Sequence, residues 1–414
     1  MAGSATLSYT YKGRDGTGKV VKGTIDAPNE GAVAGRLRSM GIAPIAVTEA
    51  VGGTGLNRDL NIAFLEKQPG LKDLSVMSRQ MATMISSGLS LLRALTILAD
   101  QTENKILAKI LGQVRNEVEG GTALSTAFQR HPRVFPPLMI SLIRAGETGG
   151  FLDKSLDSVA VNFEKEAKLK DTIKSAMTYP IMVLVMSVVA VIAMLTFIVP
   201  VFKTMFEGLG SSLPLPTQIL VNISEVMPVV LPVLIVGWIA FSVWWRRNKN
   251  TDKVRQVYDP FIFKLPVFGM LFKKVAIARF SRNFSTMVGA GVPILQALAI
   301  VGQTSGNWVI ERATNNVADS VRTGKSIAGP LAEEPVFPPM VVQMISVGEE
   351  AGSLEQMLNK IADFYEAEVD ATTEALTSLI EPLLIAFLGV VLGGMIVALY
   401  MPIFSIFDAI SGAA

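Results

Sequence analysis

The sequence predicts an all-α polytopic membrane protein. Two homologous cytoplasmic helical-bundle domains of about six helices each stand in parallel tandem repeat on three transmembrane helices, behind a small N-terminal α/β module. Three observations carry this expectation. The 414-residue chain is 50% hydrophobic and only 17% charged, with a mean hydropathy of +0.44, against the roughly 25% charge of soluble domains. Three uncharged runs have the ~20 residues that a helix rising ~1.5 Å per residue needs to cross a ~30 Å hydrocarbon core. The chain also aligns on itself at a fixed offset.

Residues 1–50 form the expected N-terminal module. LSYTYKG and KVVKGTIDA flank a turn around Gly13 to Gly18 and read as a hairpin. Glu30 to Met40 reads as a short helix before a strand at Ala43 to Val47. Met1 to Thr24 is polar and lacks the pattern of a cleavable signal, so this half is expected in the cytoplasm. Residues 51–70, with four glycines and a proline, read as a linker.

Helical domain 1 is expected over residues 71–176, followed by transmembrane helix 1 (177–202) and an extracytoplasmic loop (203–225). Transmembrane helix 2 (226–245), helical domain 2 (246–378), transmembrane helix 3 (379–407) and an extracytoplasmic tail (408–414) complete the chain. The apolar runs themselves are Thr178 to Phe202, Val226 to Trp245 and Pro382 to Phe407, and none holds a charge. Lys165, Lys168, Lys170 and Lys174 precede the first run, and Arg246, Arg247, Lys249, Lys253 and Arg255 follow the second. Basic residues mark cytoplasmic flanks. The loop between the first two runs has one basic residue and the tail has none, so both are expected outside.

A repeat explains the odd number of spans. At an offset of 203, SRQMATMISSGLSLLRALTILADQTEN from Ser78 matches SRNFSTMVGAGVPILQALAIVGQTSGN from Ser281 at ten of 27 positions. At 202, FPPLMISLIRAGETGGFLDKSL from Phe135 matches FPPMVVQMISVGEEAGSLEQML from Phe337 at nine of 22, and Pro180 and Pro200 fall on Pro382 and Pro402. Each copy is a water-facing segment followed by a span. Two copies facing the same way need one return crossing between them, and Val226 to Trp245 supplies it. Within each copy apolar residues recur at helical spacing, as in Leu89, Leu92, Leu95, Ile97 and Leu98. Gly88 and Gly291 read as helix ends, with Ser90 as an N-cap and Pro293 in a first turn.

Little in the chain suggests catalysis. It has no cysteine and one histidine, which excludes disulfides, thiolate metal sites, a cysteine nucleophile and a multi-histidine cluster. No metal or cofactor site is predicted. Thirty-seven basic against 35 acidic residues leave a net charge of +2, no field for nucleic acid. Gly324-Lys325-Ser326 resembles the end of a phosphate-binding loop, but Asp319 stands where that motif needs its first glycine. The shared requirement with Gly121-Thr122-Ala123 is a glycine at a helix junction.

The most repeated polar motif is Gly146-Glu147 with Gly150, and Gly348-Glu349 with Gly352. It reads as a glycine-permitted turn whose glutamate caps the next helix N-terminus, and secondly as a partner contact. Phe135-Pro136 and Phe337-Pro338 break the chain before a further helix. His131, beside Pro132, reads as turn or surface. Glu381 at the edge of the third span is either a solvated boundary charge or an ionisable functional group. Gly389 and Gly393 have the spacing of a helix-packing motif. Glu349, Glu350, Glu355, Asp363, Glu366, Glu368, Asp370 and Glu374 make an acidic approach to the third span that could receive a basic partner or be solvated.

Residues 71 to 407, with duplicated S-R-x-x-x-T-M, F-P-P and G-E-x-x-G-x-L motifs and a proline-led span closing on Met401-Pro402-Ile403-Phe404, resemble the platform proteins of type IV pilus and type II secretion machines, of PilC or GspF type. Tyr9 to Val47 is similar to the leader region of many members. The resemblance implies a non-enzymatic protein of the bacterial inner membrane that binds no cofactor. It implies a homo-oligomer that engages a hexameric secretion ATPase in the cytoplasm, the transmembrane helices of pilins or pseudopilins, other inner-membrane assembly proteins and lipid. Phe135, Pro136, Gly146, Glu147, Gly150, Phe337, Pro338, Gly348, Glu349 and Gly352 carry the family's motifs, none with a catalytic role. An extra charge at Glu350 sets the second copy apart. A pilus assembly role is preferred, with type II secretion as the alternative. A transporter built from repeats is the competing class, but these repeats hold most of their mass in water and the spans carry no internal charge. A membrane enzyme would require turnover dependent on Glu147 or Glu349.

Overall fold

A computed structural model describes residues 7–14, 20–27, 29–49, 68–208 and 214–411. The chain divides into two units, Met1–Glu66 and Lys67–Ala414. In the first, strands β1 (Leu7–Arg14), β2 (Val20–Ala27) and β3 (Ala43–Glu49) form an antiparallel sheet in the order β2-β1-β3, with helix α1 (Glu30–Ser39) beside it. Asn29 caps α1 by accepting from the N–H of Ala32 at 2.9 Å. Tyr9, Ala27, Val33 and Leu37 make the core. The turn expected up to Gly18 lies outside the described residues in part, as does most of the linker at 51–70.

The second unit displays the duplication as matched helices. Copy 1 is α2 (Leu71–Ser86), α3 (Leu91–Gln101), α4 (Lys105–Glu119), α5 (Leu124–Gln129), α6 (Pro137–Gly149) and α7 (Leu152–Ala193). A π-helical turn, Met194–Ile198, and α8 (Val199–Gly208) continue α7, and α9 (Leu215–Asn248) returns. After α10 (Asp252–Lys264), copy 2 follows as α11 (Phe268–Gly289), α12 (Ile294–Thr304), α13 (Trp308–Arg322), α14 (Ala328–Ala332), α15 (Pro339–Glu350) and α16 (Leu354–Ser411). The sixth helix of each copy therefore runs unbroken from the bundle into the apolar run.

Each boundary has a local cause. Pro136 and Pro338 occupy N-cap positions, and Pro137 and Pro339 open α6 and α15, where a missing N–H costs nothing. Asn104 and Asn307 cap α4 and α13 through their side chains. Ser90 sits at the N-cap of α3 without a side-chain bond, and Pro293 is one residue earlier than the first turn. The stretch of copy 1 that would match α10 lies almost wholly outside the described residues. In α10, Asp259, nearly buried, accepts from the N–H of Trp308 at 2.6 Å, and Arg255 pairs with Glu311 at 2.8 Å, which staples α10 to the start of α13.

One hydrophobic core joins both copies, from Met77, Phe128 and Phe135 to Phe280, Phe284 and Phe337. Among the described residues three helices are long and apolar enough to cross a membrane: Leu152–Met205, Leu215–Asn248 and Leu354–Phe404. Between Glu225 and Asn248 no residue of α9 is buried. An apolar helix left open all round within its own chain has lipid as its solvent. Of the segment 203–225, expected as a loop, residues 203–208 and 215–225 are helical, and 209–213 lie outside the described residues. Its apolar residues explain this, because Val221 packs with Leu195, Val199, Met395 and Leu399. The tail expected from residue 408 continues α16 to Ser411.

Candidate functional site

The repeated Gly-Glu-x-x-Gly motif builds the turn from which each long helix departs. Glu147, on α6, accepts from the N–H groups of Leu124 at 2.5 Å and Ser125 at 3.1 Å. Glu349, on α15, accepts from Ile327 at 2.9 and 3.0 Å and Ala328 at 3.3 Å. Both carboxylates therefore sit on the N-terminus of the short fifth helix, where free N–H groups and the helix dipole favour a negative charge. The expectation named the next helix; the capped one lies some twenty residues earlier, where Ala123 and Ile327 at the helix starts make no side-chain cap of their own. The glycines have separate causes. A Cβ on Gly146 would lie 2.4 Å from Ser155 Oγ and 3.0 Å from Leu152 Cα, and one on Gly348 2.9 Å from Met357 Cγ and 3.0 Å from Leu354 Cα, so both mark close helix approach. Gly150 and Gly352 take φ of +75° and +65°, which a side chain resists.

Phe135 is fully buried and stacks on Phe128 with centroids 4.1 Å apart, while Phe337 packs on Phe280 at 4.9 Å. His131 turns an edge toward Phe135 at 6.5 Å, with its Nε2 buried and without a hydrogen-bond partner among the described residues. Gly324 is a helix junction with φ of +83°, matching Gly121 at +87°. Among the described residues no group of three or more His, Cys, Asp or Glu could hold a metal.

The acidic approach meets the chain's own cations. Arg282 of α11 bonds Asp363 at 2.6 Å and Glu366 at 2.8 Å on α16, Lys274 bonds Glu368 at 2.7 Å, and Lys165 of α7 reaches Glu366 at 3.3 Å. Burial lowers the Arg282 pKa, but Glu366 and Asp363 outweigh it and the guanidinium is held above its ordinary value. In copy 1 the matching Arg79 forks onto Glu164 at 2.9 and 3.2 Å and also bonds Asp157, which raises its pKa, through the Glu164 bond first. This repeated arginine stands in the S-R-x-x-x-T-M motif of each copy. Its signal was available, for Arg79 and Glu164 recur as Arg282 and Glu366 at the repeat offsets.

The matched prolines of the two spans show a second role that went unread. Pro402 has no N–H for the carbonyl of Ala398, four residues before it, and Thr217 Oγ1 donates there instead. In the π-helical turn the N–H of Val199 turns to Met194, so Pro200 leaves the Leu195 carbonyl open, and Ser224 Oγ donates to it at 2.5 Å. Thr217 and Ser224 are two turns apart on α9. The return helix thus satisfies both proline breaks, as a bilayer requires of polar backbone.

Glu381 lies exposed on α16. A Cβ added at Gly389 or Gly393 would meet nothing within 4 Å among the described residues. The contacts of this span run through Val391, Met395 and Leu399, so among the described residues the chain does not use those glycines for the packing, within or between chains, that their spacing suggests.

Comparison with known proteins agrees with this duplication. The family described as type II secretion system (T2SS), protein F, matches twice, at residues 77–200 and 280–402, and the N-terminal domain of type II secretion system protein F matches residues 1–48. The chain is 44% identical over 405 residues to the type IV pilus assembly protein PilC of Thermus thermophilus, covering 97% of this chain and 99% of that one. It is 42% identical to PilC of Myxococcus xanthus, covering 98% and 96%, and 31% identical to type II secretion system protein F of Xanthomonas campestris, covering 97% and 99%. The family matches once in each copy, and the chain belongs to the PilC/GspF family of inner-membrane platform proteins.

Proposed function

We propose that this chain is the platform of a type IV pilus assembly machine and couples a cytoplasmic hexameric ATPase to the extraction and polymerisation of pilins. The observation that carries the reading is mechanical: α7 and α16 each pass without interruption from the shared core to an apolar run, through 42 and 58 residues. A displacement of the bundles reaches the spans at helix stiffness. The common core and the ion pairs between α7 and α16 make the two copies move as one body. In this reading the N-terminus and both bundles lie in the cytoplasm, and the α8–α9 junction and the end of α16 lie outside. The protein catalyses nothing itself, and works as a homo-oligomer with other inner-membrane assembly proteins. Greater identity to PilC than to secretion protein F favours pilins over pseudopilins.

Deleting the gene tests this: prepilin is made and processed but stays in the inner membrane, and pili are absent. Normal pili would refute it. If pili persist while secreted proteins are stranded, the type II secretion reading replaces it. A two-glycine insertion after Lys174 separates transmission from assembly, and should leave the protein in the membrane while abolishing pili.

A further inference from the structure

We propose that the groove between α2 and α7 binds the headgroup of an anionic phospholipid, so that copy 1 carries a lipid site that copy 2 lacks. The groove is a cavity of about 880 Å³ whose walls include Lys72, Val76, Ala167, Lys168, Lys174 and Thr178. Thr178 opens the apolar run of α7, and Lys174 is the last charge before it. One end of the cavity therefore lies where a span leaves the hydrocarbon, at headgroup depth.

The charges that face the groove are unevenly committed. Glu164 is held by Arg79, and Asp171 is held by Lys72 at 2.6 Å. Lys168 and Lys174 make no ion pair among the described residues and are exposed. Lys174 adds attraction to Asp171 without bonding it, so two ammonium groups free of a direct ion pair stand at the edge of a span and attract an anion from the membrane surface. The wall beneath them is apolar, with Val76 56% exposed. A free phosphate has no use for such a wall, whereas a lipid brings chains that cover it.

Copy 2 is the internal control. At the repeat offsets Lys72, Lys168 and Lys174 become Val275, Asp370 and Leu376. Helix α11 starts at Phe268, earlier than the match to Leu71, and Phe268, Leu271 and Val275 pack with Val369 and Leu376. The same place is therefore closed by apolar side chains. The proposal requires α7 to cross the bilayer and is independent of which motor or pilin the protein serves.

The absence of cysteine allows a direct test on the full chain in phosphatidylcholine vesicles containing some phosphatidylglycerol. A fluorophore on Ser175→Cys, in the groove, should be quenched by headgroup-spin-labelled phosphatidylglycerol about 25-fold more effectively than by the matching phosphatidylcholine, since Lys168 and Lys174 are each worth about a fivefold preference. The preference should vanish in a Lys72→Gln/Lys168→Gln/Lys174→Gln background. A fluorophore on Thr377→Cys, the match in copy 2, should show no preference and be unchanged in that background, which verifies folding. Equal quenching by the two lipids, a preference that survives loss of the lysines, or competition by millimolar inorganic phosphate would overturn the proposal. So would a Ser175→Cys label shielded from both lipids, because protein would then fill the groove.

Discussion

Copy 1 and copy 2 keep the same skeleton and spend their differences at the edges. Both retain the glutamate cap, the close-approach glycine, the arginine fork and the buried phenylalanine at the Pro-Pro break. Around that phenylalanine the aromatic partner has changed helices. Copy 1 has Phe128 on α5 and Met77 on α2, while copy 2 has Leu331 on α14 and Phe280 on α11, all buried. The repeat conserves the volume filled, not the residue that fills it. Surface charge diverged further, with lysines on α7 and carboxylates on α16, and the two signs meet at Lys165 and Glu366. Divergence thus turned two like halves into a complementary pair.

The largest effect that tests this comparison is at the conserved ring. Phe135→Ala or Phe337→Ala should each lose about 4 kcal/mol, read from the urea midpoint of the micelle-bound chain. Phe128→Leu should cost about 1 kcal/mol, and adding Met77→Phe, which installs the copy 2 arrangement, should restore most of it. Additive losses in the double variant would break the idea of exchanged volume.

Next come the turn and the fork. Gly146→Ala drives a Cβ into Ser155 and should cost about 3 kcal/mol, while Gly348→Ala meets the flexible Met357 and should cost about half as much. Equal costs would mean that backbone contact alone sets the approach. Arg282, with a side chain 13% exposed, should lose about 2 kcal/mol as Arg282→Ala, between the values for open and buried pairs. Arg79, 38% exposed, should lose under about 1 kcal/mol. Glu147→Ala and Glu349→Ala should each cost about 1 kcal/mol, the ordinary worth of a cap. A loss of pili at full stability would instead mark that glutamate as a partner contact.

How much of this was legible follows from what each feature depends on. The duplication, the spans and the helix breaks rest on local pattern, and proline pairs, positive-φ glycines and uncharged runs announce themselves in one dimension. The short fifth helix could be inferred from Gly121 and Pro136, but which carboxylate would cap it could not, since Glu147 reaches back across a fold-dependent distance. The acidic approach was seen and its occupant missed, because pairing Glu366 with Arg282 and Lys165 requires knowing that α7, α11 and α16 share a seam. Gly389 and Gly393 have the spacing of a packing motif without a partner among the described residues. The donors for Pro200 and Pro402 were hidden for the same reason, although the missing N–H groups were countable.

The smallest effect separates the copies by pH. Asp171 accepts a hydrogen bond from Lys72, with Lys174 and Lys170 adding attraction, and its pKa is held below the ordinary value of 3.8. A depressed carboxylate contributes stability that is complete above its unfolded pKa and is lost as pH falls through the folded one. The matching positions in copy 2 are Thr373 and Val275, which do not titrate. Acidification below the ordinary carboxylate range should therefore loosen the start of α2, read as faster amide hydrogen exchange at Leu74 and Ser75 after correction for intrinsic rates. The start of α11 should show no such step from this position. Lys72→Gln should remove the step in copy 1 and leave copy 2 unchanged. Both carboxylate and lysine are exposed, so the change stays within one helical turn; a response spread over both copies would show that the two bundles unfold as one unit even at their outermost charges.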